Sequence, residues 1–361
     1  MLALTLAIVM STSPARAFPG ILGMDFHGHT IATSYGSNIV DLWDARSGRR
    51  IKQLIVRHRR YRNGEQSFEN YEWVRFSPDG RRLIAGNAVE SAVGYSPIWN
   101  VRSGRLVSKL AVSHEPGALD PPMEPIFSPN GQYVLGTNSV GETAVWSANN
   151  GAMRFFVGKD EEHHGLGTCC PGPDPAGFSY ASYGDLSVWG GHCRLNNAWQ
   201  EQVKIDDPTG YPGSINFTSD RRSVIMTFIG TGSFGVAAYT LHGSFSNPDK
   251  ITLSKAFFKV RGVECRDVTI SRKNRSVIVG GAHGDLIEVS YITGKVLKRF
   301  TVPDHGLVSR LALNWDDNLL VVSTHNPNNS GTLTVWDPST GRLLRSIGHV
   351  PPRPNTGDHT D

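Results

Sequence analysis

Residues 332–345 most constrain how this chain can fold. Two runs of alternating apolar and polar residues flank Trp336-Asp337 and the turn Pro338-Ser339-Thr340-Gly341. Alternation with a period of two places one side-chain set on each face of a strand. A glycine at the turn supplies the positive φ of a tight hairpin. Degenerate copies recur along the molecule, with Trp43, Trp99, Trp146, Trp189, Tyr239, Val289 and Trp336 at the hinge. Successive hinges are 43 to 56 residues apart, and in five units a glycine follows five residues later, at Gly48, Gly104, Gly151, Gly294 and Gly341. Two independent matches at fixed offsets argue for a structural repeat.

Each unit reads as four strands. In the first these are 21–26, 30–35, 38–43 and 50–56, with a turn at His27-Gly28. The second runs from 73–76 through Ser77-Pro78-Asp79-Gly80 to 82–86, 95–99 and 106–112; the third opens at 125–127 and closes at 143–146 and 153–157. The fourth is degenerate: aligned on Trp189, it sets Cys170 at the end of its first strand, followed by 178–183, 186–189 and 199–205. The fifth opens at 215–217 and has a short strand at 236–239. The sixth comprises 268–270, 276–279, 286–289 and 296–302, and the seventh opens at 311–315. A four-stranded sheet cannot bury both faces alone, so it must stack on its neighbours. The pattern predicts an all-β fold, a seven-bladed β-propeller of four-stranded antiparallel blades. Positions such as Leu333, Val335 and Leu343 are expected to fill the layers between blades, and 39 Gly with 21 Pro suit a turn-rich chain.

Over roughly 21–350 the chain resembles the WD40-repeat β-propeller family. Trp43-Asp44 and Trp336-Asp337 carry the likeness, with the Phe-Ser-Pro-Asp/Asn-Gly turns at 76–80 and 127–131. Elsewhere the pair becomes Trp99-Asn100, Trp146-Ser147 and Trp189-Gly190, and the family's Gly-His dipeptide survives clearly only at Gly348-His349. The family's His/Ser/Trp/Asp hydrogen-bond network is therefore expected to be incomplete in most blades.

The apolar run 2–10 precedes Ser11-Thr12-Ser13-Pro14 and Ala15-Arg16-Ala17, the order of a secretory leader with cleavage after Ala17. Its first residues contain no Lys or Arg, and a buried N-terminal strand is the alternative. The run is too short to span a bilayer, so no membrane span is expected. The domain reading is a leader at 1–17, a propeller at 18–350 and a disordered tail at 351–361, in a secreted or periplasmic monomer. The net charge of +4, from 36 basic and 32 acidic residues, gives no reason to invoke nucleic acid.

Several motifs carry less chemistry than they suggest. Gly230-Thr231-Gly232-Ser233-Phe234-Gly235 has phosphate-loop spacing, but a short strand ending in a hairpin glycine follows it where phosphate binding needs a helix or a lysine-bearing strand, so it reads as the second hairpin of the fifth unit. His163, His164, Cys169 and Cys170 lack the spacers of a metal site. With a leader present, the cysteines at 169, 170, 193 and 265 are disulfide candidates. Cys170 or Cys169 with Cys193 is the preferred bridge, because the two loops share one face of the fourth unit. A vicinal Cys169-Cys170 bridge is the alternative, similar to that of quinone-cofactor dehydrogenase propellers, whose Asp-x-x-Thr-Gly turn is comparable to 337–341. Arg57, Arg59, Arg60 and Arg62 make the densest basic run, on the loop joining units one and two, and form a candidate partner-binding loop. The loops 112–124 and 158–175 are also long, and function on such scaffolds concentrates on loops. No catalytic residues, metal or cofactor are assigned. The expected function is a non-enzymatic scaffold binding a protein or an anionic polymer through its loop face. A propeller enzyme (lactonase, hydrolase or quinone-dependent dehydrogenase) with its site over the central channel is the alternative.

Overall fold

The computed structural model describes residues 20–56, 71–87, 95–110, 112–115, 118–120, 123–137, 142–159, 168–171, 178–182, 185–190, 199–204, 211–217, 223–230, 233–242, 252–261, 265–271, 273–314, 316–326 and 331–350. Side chains are described in the first three and last two sheets apart from residues 87, 123–124, 137, 142–143, 155–159 and 348–350, and at Ile225, Val236 and Ala238 of the fifth. Among these residues the chain is all-β, without a helix.

Seven antiparallel sheets of four strands follow one another, each built from consecutive strands. The first comprises β1 (Gly23–His27), β2 (Thr30–Ser34), β3 (Ile39–Asp44) and β4 (Arg50–Ile55), and the second β5 (Tyr71–Phe76), β6 (Arg82–Asn87), β7 (Ser96–Asn100) and β8 (Leu106–Leu110). A two-stranded hairpin, β9 (Val112–Glu115) and β10 (Ala118–Asp120), then precedes the third: β11 (Met123–Phe127), β12 (Tyr133–Thr137), β13 (Glu142–Ser147) and β14 (Met153–Lys159). The fourth is β15 (Thr168–Pro171), β16 (Phe178–Ser182), β17 (Asp185–Gly190) and β18 (Trp199–Lys204). The fifth is β19 (Tyr211–Phe217), β20 (Ser223–Gly230), β21 (Ser233–His242) and β22 (Thr252–Arg261). The sixth is β23 (Cys265–Ser271), β24 (Ser276–Gly281), β25 (Asp285–Ser290) and β26 (Val296–Thr301), and the seventh β27 (Leu307–Leu313), β28 (Leu320–His325), β29 (Gly331–Asp337) and β30 (Arg342–Val350).

Every hinge residue sits in the third strand of its sheet, and all five hinge glycines have φ between 67° and 73°. In sheets one, two, three, six and seven a register shift accompanies this turn, the bulge that an αL glycine introduces into a hairpin. Three expectations need correction. The loop at 112–124 contains the β9–β10 hairpin. The short strand at 236–239 extends over Ser233–His242, whereas the hairpin reading of the glycine-rich run agrees with the direct pairing of Gly230 with Ser233 between β20 and β21. In the last sheet the first strand ends at Leu313, where Asn314 begins a turn closed by Asp317 N–H to Asn314 O.

The core lies between sheets, and period-two alternation distributes it. Leu333 and Val335 of β29 pack with Ile21, Met24, Phe26 and Ile31 of the first sheet. Trp336, one residue along, packs on the other side with Ile278 and Leu286 of the sixth, joined by Leu343. Equivalent layers join sheets one and two around Trp99, two and three around Trp146, and five and six around Val236 and Val279. The first strands lie side by side in chain order, β1 beside β5, then β11, β15, β19, β23 and β27, and β27 beside β1.

Candidate functional site

The hinge side chains serve packing and turn formation. Trp99 and Trp146 are fully buried, Trp336 is buried, and Trp43 is half-buried. The Trp43 indole N–H donates to Thr33 Oγ1 at 2.9 Å and that of Trp336 to Thr334 Oγ1 at 2.8 Å, satisfying the one donor that an indole carries inside. The acid after the Trp caps its own turn. Asp44 accepts from Arg46 N–H at 3.0 Å and the Ser47 hydroxyl at 2.8 Å; Asp337 accepts from Ser339 N–H at 2.9 Å and the Thr340 hydroxyl at 2.8 Å. The Arg46 amide, then the Ser47 hydroxyl, hold Asp44 below the usual carboxylate range, and the Ser339 hydroxyl leads the same effect at Asp337. Asn100 takes this role for Ser103, and Ser290 for Thr293. Any short acceptor suffices there, which explains how the Trp-Asp pair degenerates without loss of the turn.

Charged groups come together where the first strands adjoin, and none of them belongs to a local motif. Asp25 on β1 reaches the second sheet, accepting Phe76 N–H at 2.6 Å. Arg75 on β5 returns the link, donating to Met24 O at 3.5 Å and to Val74 O at 3.0 Å. Asp267 on β23 accepts Leu311 N–H of the seventh sheet at 2.6 Å. Arg310 on β27 donates to the Leu22 carbonyl of the first sheet and to Ser309 O at 3.0 Å, and its guanidinium lies 5.3 Å from the Trp73 ring centroid. Burial pushes Asp267 above the usual carboxylate range, opposed first by Arg310 and more weakly by the Leu311 amide and Arg75. These charges thus couple sheets six, seven, one and two through adjoining backbone.

A third acid, Asp304, sits between β26 and β27. It accepts from Thr324 Oγ1 at 2.6 Å, Thr332 Oγ1 at 2.8 Å and Asn326 Nδ2 at 3.4 Å. Burial alone would raise its pKa; the hydroxyls of Thr324 and Thr332, the Gly306 amide and Asn326 outweigh that and hold it below its ordinary value.

Trp189 lies on β17, Tyr239 on β21 and Cys170 on β15, with side chains outside the described set. Cys193 and the basic loop of Arg57, Arg59, Arg60 and Arg62 also lie outside it, as do 1–19 and 351–361. Cys265 is a buried free thiol, pushed up to about 12 by burial and by Asp267. No group of three or more His, Cys, Asp or Glu poised for a metal occurs among the described residues, and no helix among them is long and apolar enough to cross a membrane.

No family model matches the chain, and no curated protein matches it. Among solved structures it is similar to the computationally designed Ika8 protein. The two share 16% identity over 91% of this chain and 87% of that one, with a TM-score of 0.56. At that identity the likeness concerns the fold alone.

Proposed function

We propose that the seven sheets form a closed, seven-bladed, WD40-like β-propeller, exported after loss of 1–17, that acts as a non-enzymatic interaction scaffold. Binding is to a protein or an anionic polymer through the loop face. Ring closure is supported by the layer shared between sheets seven and one and by two bonds across it, Arg310 to Leu22 O and Asn314 Nδ2 to Gly28 O. One observation favours a scaffold over an enzyme at the channel. Asp25, Arg75, Asp267 and Arg310 stand where such an enzyme would place its catalytic groups, yet each is bonded to the backbone of the neighbouring sheet. A carboxylate that holds a backbone amide and an arginine that holds carbonyls are fixed as rivets, and freeing them would separate blades. The loop face is where the copies differ, as expected of a binding surface on a repeated frame.

The test is in-cell cross-linking followed by purification of the exported chain, alongside activity screening of the purified protein with lactones, esters and alcohol/quinone pairs. Recovery of one cross-linked partner, lost when the 57–62 arginines become serine, and no turnover are expected. Turnover abolished by Asp267→Asn in a folded protein would instead establish the enzyme.

A further inference from the structure

The outermost strand of every sheet carries a charge pattern that the chain-wide balance conceals. Among the described residues, β4, β8, β14, β18, β22, β26 and β30 together hold thirteen Lys and Arg against one acid, Glu201. The innermost strands β1, β5, β11, β15, β19, β23 and β27 hold three Lys and Arg against four acids. The cations therefore collect at the rim. The large exposed apolar side chains collect there too: all nine identified among the described residues lie on β4, β8, β14, β26 and β30 or, for Ile292, in the turn entering β26.

Some of these cations have structural work. Lys298 Nζ donates to Pro338 O at 2.7 Å in the next sheet's turn and pairs with Glu288 at 3.5 Å, and Lys52 Nζ bonds Val101 O at 3.3 Å in the same manner. The Lys298 latch ties β26 to the turn that leads into β30, while other side chains of these two strands are exposed. Lys295, Arg299 and Arg342 are exposed, interleaved with Val296, Leu297 and Leu344 at 41%, 52% and 41% exposure.

We infer that the rim of sheets six and seven is a docking surface for an anionic lipid bilayer, with the aliphatic side chains entering the headgroup boundary and the cations meeting lipid phosphates. Chemistry selects this occupant. A soluble polyanion would satisfy the cations and leave Val296, Leu297 and Leu344 in water. A second copy pairing edge to edge would set cation against cation, the arrangement that guards edge strands from self-pairing. An anionic bilayer surface takes both kinds of side chain at once. This surface lies on the outer strands, apart from the loop face proposed above, and stands whatever binds there.

The experiment is co-sedimentation of the full mature chain with phosphatidylglycerol-containing vesicles and with pure phosphatidylcholine vesicles, at low and high salt. Binding to the anionic vesicles alone, weakened by salt, is expected. The K295S/R299S/R342S variant should bind on the order of a hundredfold more weakly, at roughly fivefold per cation. The V296S/L297S/L344S variant should also weaken, and unchanged thermal unfolding would show both variants folded. No binding of the unmodified chain to anionic vesicles overturns the inference, leaving the cations as guards of the strand edge. So does undiminished binding by the serine-for-aliphatic variant with equal affinity for soluble polyphosphate, which would identify a polyanion as the partner.

Discussion

Substituting alanine at two equivalent glycines separates the local cost of the repeated turn from its packing cost. Gly151 and Gly341 close the same hairpin in sheets three and seven with φ of 72° and 71°. An L-residue in that conformation costs about 1–2 kcal/mol, offset by about 0.4–1 kcal/mol because alanine restricts the unfolded chain. At Gly341 the added carbon meets the Phe300 ring at 3.4 Å and Lys298 Cδ at 3.6 Å, ordinary contacts, so Gly341→Ala should cost about 1 kcal/mol. At Gly151 it would collide with the backbone of β8, inside contact range of the Lys109 carbonyl oxygen and with the carbonyl carbon at 3.1 Å. Backbone cannot rotate aside, and β8 cannot retreat, because Leu110 is fully buried in the layer between sheets two and three. Overpacking of this kind adds about 1–3 kcal/mol, for a total of about 2–4 kcal/mol. Equilibrium urea unfolding followed by tryptophan fluorescence measures both variants. Equal midpoint shifts, or a larger one for Gly341→Ala, would refute the packing of that turn against β8.

Other outcomes are specific to single side chains. Trp99→Ala, which empties a fully buried site between sheets one and two, should cost about 3–5 kcal/mol, and half-buried Trp43→Ala distinctly less, in the same unfolding assay. Asp304 and Asp267 should respond to pH in opposite senses. The depressed pKa of Asp304 stabilises the fold above about pH 4, the ordinary carboxylate value, and that contribution disappears as pH falls through the lower folded value, so Asp304→Asn should flatten the acid loss of melting temperature. The raised pKa of Asp267 disfavours its charged form in the fold and subtracts stability as pH rises through it. Asp267→Asn, which can still accept the Leu311 amide, should therefore leave the pH 7 melting temperature unchanged or higher; a clear fall would contradict that sign. Cys265 should resist a thiol reagent in the native protein at pH 8 and react on unfolding, as mass spectrometry of the 265 peptide would show.

The sheets were legible in the sequence because their signals are local. A hinge Trp, a short polar acceptor after it and a glycine five residues on describe a single hairpin, and the copies restate it in whole or in part. The rim cations have a local trace as well: Gly48-Arg49, Gly104-Arg105, Gly294-Lys295 and Gly341-Arg342 set a cation directly after the hinge glycine. That trace acquires meaning only once those residues are known to precede or open the last strand of a sheet. Asp25, Arg75, Asp267 and Arg310 were not legible, since their partners lie in other sheets and no spacing within one repeat announces them. The β9–β10 hairpin was hidden by Pro121-Pro122 and the short lengths of its strands, which carry no clear alternation. Asp317 shows how tertiary context overrides local preference. It holds φ at 53° without being glycine, and its carboxylate bonds the Ser271 hydroxyl at 3.1 Å and Lys273 N–H at 2.7 Å in the sixth sheet.

The contact between the first and last sheets is the feature on which the closed frame depends. A carbon added at Gly48 would stand 3.7 Å from Ile347 Cα, within disulfide reach. Mild oxidation of the Gly48→Cys/Ile347→Cys chain, followed by non-reducing gel electrophoresis, tests it directly. Closure predicts a faster-migrating band, from a loop spanning nearly the whole chain, that reducing agent abolishes and neither single variant forms. If the double variant instead migrates like the single ones while remaining folded, sheets seven and one do not meet.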